Sequence, residues 1–252
     1  MTEELLNVII ILGERMLVAG AEVHRVEESI RRLCCAYGAV RADVYTTTSN
    51  MIVTAETADG HFLTQTRRMS GTGNDMAKVH ALNDLARNVM VERPAVEELR
   101  RRVDEASKTK VYPRWLKILS YAMVAGAFTV FFGASVWQEA AVSFAIGGIV
   151  GVAAQLIERF SLNKALDRFI GSLIACLLTF AALRLGLVPA ADKIIIGNIM
   201  TLIPGTGLTN ALRDLFTGDV ITGILRAIEA VLLALAIAAG YITAVFLMGG
   251  GA

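Results

Sequence analysis

The feature that most constrains this chain is an apolar run of membrane grade that breaks off. Residues 194–218 read IIIGNIMTLIPGTGLTNALRDLFTG. After about ten apolar or small residues the run meets Pro204-Gly205, then Gly207, Thr209, Asn210, Arg213 and Asp214. A helix needs ~20 consecutive apolar residues to cross ~30 Å of hydrocarbon, so this stretch cannot cross as an ordinary helix. Irregular backbone at membrane depth persists only where protein or a water-filled cavity surrounds it. Many transporters build their binding sites from such broken helices with free polar ends. Two readings follow from the pattern: a broken helix that carries a site, or a short helix, a proline break and an amphipathic helix lying in the interface.

The rest of the chain sets that stretch in a membrane context. Hydrophobic residues make up 55% of the 252, with a mean hydropathy of +0.57, well above a typical soluble domain. Charged side chains crowd into residues 1–114, and apolar runs dominate from Trp115 onward. The division predicts a soluble domain over 1–114 and a transmembrane helical domain over 115–252. The net charge of +1 comes without any Lys/Arg-rich run interleaved with aromatics, which excludes a nucleic-acid binder. The opening MTEELLNVIIILGER places acids first and has neither a basic n-region nor a small-residue cleavage site. It is therefore read as no signal peptide, and the soluble domain as cytoplasmic.

Within 1–114 the periodicity predicts an α+β domain. Leu5, Ile9, Leu12 and Met16 form one helical stripe, stopped at Gly20, and Val23, Val26, Ile30 and Leu33 form a second. From Val40 the period changes to two, through VRADVYTTTS, NMIVTAET and HFLTQTRR, with Asp59-Gly60 as a hairpin turn. SGTGND then leads to a helix capped by Asn74 or Asp75, with Met76, Val79, Leu82, Ala86 and Val89 inward. A charged helix near Ala95–Ser107 follows Pro94. Gly71-Thr72-Gly73 lacks the GxxxxGK[ST] pattern and reads as a loop-to-helix turn. His24, His61 and His80 have no metal-ligand spacing, and Cys34, Cys35 and Cys176 read as reduced, buried thiols, so no metal and no cofactor is expected. Asn83 and Arg87, at i and i+4, form a structural pair or a ligand contact. No serine or cysteine has a recognisable base beside it, so the chain is not expected to be an enzyme.

From residue 115 five membrane elements are predicted: about 118–136, 140–157, 169–188, a broken 193–218, and 220–248. Arg114 and Lys117 around Trp115 mark a cytoplasmic face, Gln138 and Glu139 the far side, and the polar stretch 158–168 a cytoplasmic return. Gly147 and Gly151 make a GxxxG face suited to another chain or copy. Arg226 and Glu229 interrupt the last run. Either 220–230 is interfacial, or the two are intramembrane charges on one helical face that mark a cavity.

Four stretches together resemble the threonine/serine exporter family. They are GAEVHRVEESIRRL (20–33), TTTSNMIVT (46–54), RMSGTGNDMAKVHALNDLAR (68–87) and, most specifically, IPGTGLTNALRDLFTGDVITGILRAIEA (203–230). Long members of that family fuse two membrane halves, whereas this chain has one. It is therefore similar to the larger subunit of split systems that a short membrane-only protein completes. The resemblance implies proton-driven export of small amino acids (threonine, serine) or small dicarboxylates such as succinate, across a bacterial inner membrane. Its implied partners are that small-molecule substrate, membrane lipid, and the short subunit or a second copy.

Either substrate carries a carboxylate that a helix N-terminus or an arginine can hold. Pro204, Gly205, Thr209, Asn210, Arg213 and Asp214 are the candidate substrate-binding residues, with Asp214 and Glu229 as proton or ammonium partners. A different class of reading is a membrane-anchored ligand-sensing or regulatory module without transport.

Overall fold

The computed structural model describes all residues except 70, 72, 109–111, 159–162 and 249–252. Ser70 and Thr72 of the SGTGND turn, and 159–162 of the polar return, therefore lie outside the described residues. The described elements run α1 (Glu3–Val18), α2 (Val23–Ala36), β1 (Ala39–Thr46), β2 (Asn50–Thr57), β3 (Phe62–Arg68), α3 (Met76–Glu92) and α4 (Val96–Ala106). They continue with α5 (Arg114–Phe131), α6 (Trp137–Glu158), α7 (Lys164–Arg184), α8 (Asp192–Met200), α9 (Gly205–Thr217) and α10 (Val220–Leu247). The chain packs as two compact units, one of residues 1–110 with 206–227 and the other of 111–205 with 228–252.

The first unit is built on α1. Thr2 caps it, its hydroxyl accepting from the Leu5 N–H at 3.2 Å, with Glu3 and Glu4 in the first turn where the helix dipole favours acids. The predicted stripe of Leu5, Ile9, Leu12 and Met16 is buried, but so are Leu6, Val8, Ile10 and Leu17. The helix is thus enclosed on most sides rather than half-exposed. A Cβ on Gly13 would come 2.1 Å from Ile30 Cδ1, so the missing side chain lets α2 lie close against α1. Val23, Val26, Ile30 and Leu33 fill that contact. The sheet is antiparallel in the order β1-β2-β3, and on β2 Met51, Val53 and Ala55 point into the core at every second residue. Gly60 takes φ +77° in the β2–β3 hairpin, a conformation cheap for glycine. Asp75 caps α3, accepting from the Lys78 N–H at 3.0 Å. Leu82, Ala86 and Val89 are buried as predicted, whereas Met76, in the helix's first turn, is 51% exposed. The Arg15–Asp104 ion pair at 2.7 Å ties α4 to α1.

The second unit is a bundle of apolar helices. Among the described residues three helices are long and apolar enough to cross a membrane: 137–157, 164–184 and 220–247. A fourth span exists if α8 and α9 count as one broken element. The helix at 114–131 ends five residues short of the predicted limit of 136 and carries Arg114 and Lys117 in its first turn. Glycines set how closely the helices approach. A Cβ on Gly147 would lie 2.6 Å from Ala125 Cβ and 2.9 Å from the Tyr121 carbonyl, and one on Gly151 2.9 Å from Tyr121 Cβ. The GxxxG face is therefore spent on α5 of the same chain, which corrects its reading as a surface for another chain. On the other side of the bundle a Cβ on Gly240 would meet the Phe169 carbonyl at 2.5 Å, and the Ser172 hydroxyl donates to the Ile237 carbonyl at 2.8 Å.

Two further expectations are corrected. Residues 206–227 pack with the N-terminal unit, so the division is not a single cut at 114/115. The physical reason lies in the polar groups of α9 and early α10, which find their partners there. Cys34 and Cys176 are buried, but Cys35 is exposed, because it follows Cys34 on the helix and faces the opposite way from the core.

Candidate functional site

The sequence-predicted site begins where α8 ends. Thr201 and Leu202 turn back onto the last carbonyls of α8, and Pro204 stops any continuation of the helix. α9 then runs from Gly205 to Thr217 and is stopped by Gly218, which adopts φ +98°. The Asp219 N–H closes the turn on the Asp214 carbonyl at 2.9 Å, a Schellman-type stop. A Cβ on Gly223 would lie 2.6 Å from Leu215 Cγ, so the first turns of α10 pass close against α9. This hairpin brings Arg226 to Asp214.

Arg226 Nη1 donates to Asp214 Oδ2 at 2.6 Å, and Nη2 lies 3.4 Å from the Ala21 carbonyl; both side chains are buried. Arg213 pairs with Glu22, Asn210 Nδ2 points at the Gly20 carbonyl at 3.5 Å, and Asn74 Nδ2 donates to the Thr206 hydroxyl at 2.7 Å. Pro204 is half-buried, while Gly205 and Thr209 are exposed. Asn210, Arg213, Asp214 and Arg226 are thus gathered around the α1–α2 turn, residues 20–22. Among the described residues Arg226 and Glu229, the possible charge pair, have separate partners. Arg226 takes Asp214, and Glu229 takes Lys164 at 2.9 Å. Residues three apart on α10 diverge here because each meets a different neighbour. Asn83 is half-buried and Arg87 exposed, and among the described residues no hydrogen bond joins them.

Polar groups that sequence reading passed over lie within the helical unit. Thr129 of α5, Ser143 of α6 and Asn198 of α8 are all buried. The Ser143 hydroxyl oxygen accepts from Thr129 at 2.7 Å and from Asn198 Nδ2 at 2.9 Å. Gly197 makes room for this meeting, since a Cβ there would fall 2.1 Å from the Thr129 hydroxyl. Single Thr, Ser and Asn residues inside apolar runs were the only signal, and their convergence depends on helix packing. A cavity of about 300 Å³ in the same unit is lined by Lys117, Tyr121, Gln155, Asp167 and Arg168, among others. Arg168 Nε is buried without a hydrogen-bond partner among the described residues. In the sequence Lys117 and Arg168 mark only the topology. A second cavity, about 660 Å³, lies in the N-terminal unit with Glu14, Arg15, Arg67, Asp75 and Lys78 on its wall. There Arg67 pairs with Glu14 at 3.1 Å.

Comparison of the sequence with known proteins finds relatives named as transporters. The family model described as "Putative threonine/serine exporter" matches residues 7–248. The probable succinate transporter subunit YjjP of Klebsiella aerogenes is 29% identical over 239 residues, covering 93% of this chain and 90% of that protein. Its Escherichia coli namesake is 28% identical over 243 residues, covering 94% of this chain and 92% of that protein. The probable threonine/serine exporter of Mycobacterium tuberculosis is 26% identical over 242 residues, 95% of this chain but only 45% of that protein. No solved structure matches. With a family match across almost its whole length, the chain belongs to the threonine/serine exporter family.

Proposed function

We propose that this chain is the larger subunit of a secondary exporter. It would move small amino acids such as threonine and serine, or small dicarboxylates such as succinate, out of the cytoplasm in exchange for protons. A short membrane-only subunit completes it, the long apolar helices of the second unit lie in a bacterial inner membrane, and the N-terminal unit faces the cytoplasm. The names of its relatives favour this reading: two are probable succinate transporter subunits of nearly the same length, and one is a probable exporter about twice as long.

The observation that carries the chemistry is Arg213. Its guanidinium already holds a carboxylate, that of Glu22, with Asn210 one helical turn before it. A planar fork of donors suits bidentate carboxylate binding. In the transport cycle a substrate carboxylate replaces that of Glu22 on Arg213, Asn210 adds a hydrogen bond, and Asp214 balances the charge of Arg226. Pro204, Gly205 and Thr209 shape the entry. The cations Lys117 and Arg168 on the 300 Å³ cavity favour the same class of anionic substrate.

The test is efflux of preloaded threonine, serine and succinate from cells carrying this chain, the short subunit, both or neither. Faster loss of one substrate with both proteins supports the proposal. Equal rates in all four strains exclude export and leave the ligand-sensing module.

A further inference from the structure

Glu139 sits in the first turn of α6 and is 0% exposed. Its Oε2 accepts from the Ser135 N–H at 2.7 Å, which satisfies a free backbone donor just ahead of the helix. Its Oε1 is buried, and among the described residues neither a hydrogen-bond donor nor a salt bridge reaches it. One turn further along the same face stands Ser143, with Thr129 and Asn198 upon it. Asn198 spends both amide hydrogens, on Ser143 and on the Ile194 carbonyl at 3.0 Å, and its Oδ1 too is buried without a donor among the described residues. Two adjacent levels of the α5–α6–α8 contact thus each hold a buried acceptor that no hydrogen bond meets among the described residues. A buried carboxylate lacking an ion partner is costly unless it takes up a cation, and ionisable groups inside apolar bundles mark ion and proton paths.

The charged groups around it leave that vacancy unfilled. Lys193, at the start of α8, donates its ammonium to the Ser135 hydroxyl at 2.8 Å instead. Asp192 beside it is exposed. Arg184, at the end of α7, donates to the Met248 carbonyl. On α5 the charges, Arg114 and Lys117, are at the opposite end.

We propose that Glu139 is the acid that takes up and releases the coupling proton, with Ser143, Thr129 and Asn198 as the polar column leading from it. Uptake adds H⁺ to Oε1 and turns the unmet acceptor into a hydroxyl; release restores the carboxylate, and no other bond changes. The role in transport rests on the export reading above, but the protonation chemistry does not. Accepting that N–H needs no ionisation, and the amide oxygen of glutamine can accept it as well. Glu139→Gln therefore keeps that hydrogen bond and removes the proton site.

The experiment treats membranes containing the full chain with dicyclohexylcarbodiimide, which adds across a protonated buried carboxyl to leave a stable acylurea. Peptide mass mapping then locates the label. We expect Glu139 to be labelled at acidic pH, at least tenfold less at alkaline pH, and Glu139→Gln to be blank at that peptide. No label at Glu139 at any pH, or equal label at every pH, overturns the inference whether or not the chain exports. In cells, Glu139→Gln should lose net efflux driven by a pH gradient at least tenfold while still exchanging substrate for substrate. Undiminished gradient-driven efflux in that variant also overturns it. Labelling of Glu139 in a chain that exports none of the substrates supports the acid and refutes the export reading.

Discussion

The Arg226 guanidinium stands 2.6 Å from the Asp214 carboxylate, the arginine side chain 10% exposed and the aspartate 1%. The two residues lie on consecutive helices joined by the turn at Gly218, so this bond fixes the hairpin that carries the candidate site. Removing one partner strands a buried charge, which costs about 3–5 kcal/mol. Asp214→Ala and Arg226→Ala should each lower the thermal stability of the purified chain strongly. The double change to Asp214→Leu with Arg226→Met should recover most of it. A double variant that melts as low as the worse single one rules out the pair as the cause.

At the neighbouring residues the expected effects fall on export. Asn210→Ala removes one hydrogen bond, on the order of 1 kcal/mol or about fivefold in apparent affinity. Arg213→Lys keeps the charge but loses the fork, and should reduce export further than Asn210→Ala does. Glu22→Gln weakens the carboxylate that now occupies Arg213 and should lower the half-saturating substrate concentration. Wild-type behaviour of all three would place substrate binding elsewhere, with the cavity of Lys117 and Arg168 next to be tested.

Helix packing gives a prediction independent of transport. Gly147→Ala and Gly197→Ala push a methyl into Ala125 Cβ and the Thr129 hydroxyl, at 2.6 and 2.1 Å before relaxation. Overpacking of this kind costs about 1–3 kcal/mol. Gly148→Ala meets nothing nearer than 3.8 Å and serves as the control. Thermal melts in detergent should show both losses and a neutral control. The subunit composition should not change with any of them, because the face is internal to the chain.

Glu27 on α2 supplies a pH prediction. Burial, with the charge of Asp219 adding to it, holds its carboxyl above the ordinary value of 4.5. The folded state then binds the proton more tightly than the unfolded state. Its contribution is therefore fully present below about pH 4.5 and is lost as pH rises through the raised folded value. Glu27→Gln should stabilise the chain at neutral pH, and that gain should vanish at acidic pH. A gain of the same size at both pH values excludes ionisation as its source.

Orientation is testable with one engineered thiol. Cys35 is exposed, so it must be replaced together with Cys34 and Cys176 before a cysteine is placed at Ser107. Burial pushes the Cys34 thiol up to about 12, which makes it a poor nucleophile in any case. With the N-terminal unit in the cytoplasm, an impermeant maleimide should label position 107 only after the cells are opened. Labelling of intact cells reverses the proposed topology.

Much of the architecture was legible from short-range pattern. The stripes of α1 and α2, the period-two strands, the Asp59-Gly60 hairpin and the Asp75 cap each rest on residues a few positions apart, where backbone geometry alone relates them. The break at Pro204-Gly205 was legible for the same reason. Polar partnerships were not. Asp214 was singled out from its place in an apolar run, but whether Arg213, Arg226 or a ligand would meet it depended on how tightly the chain turned at Gly218. Arg226 and Glu229 share a helical face, yet their partners, Asp214 and Lys164, lie 12 and 65 residues away. Glu139 read as an interfacial residue because a single acid beside Gln138 at the edge of an apolar run carries no sign of burial. The sequence by itself determined which segments are apolar, where they stop, and that charge is placed among them. Only the tertiary structure decided which charges meet, because that choice is made by helices approaching over glycines such as Gly147, Gly197 and Gly223, and contacts between distant segments leave no periodicity to read.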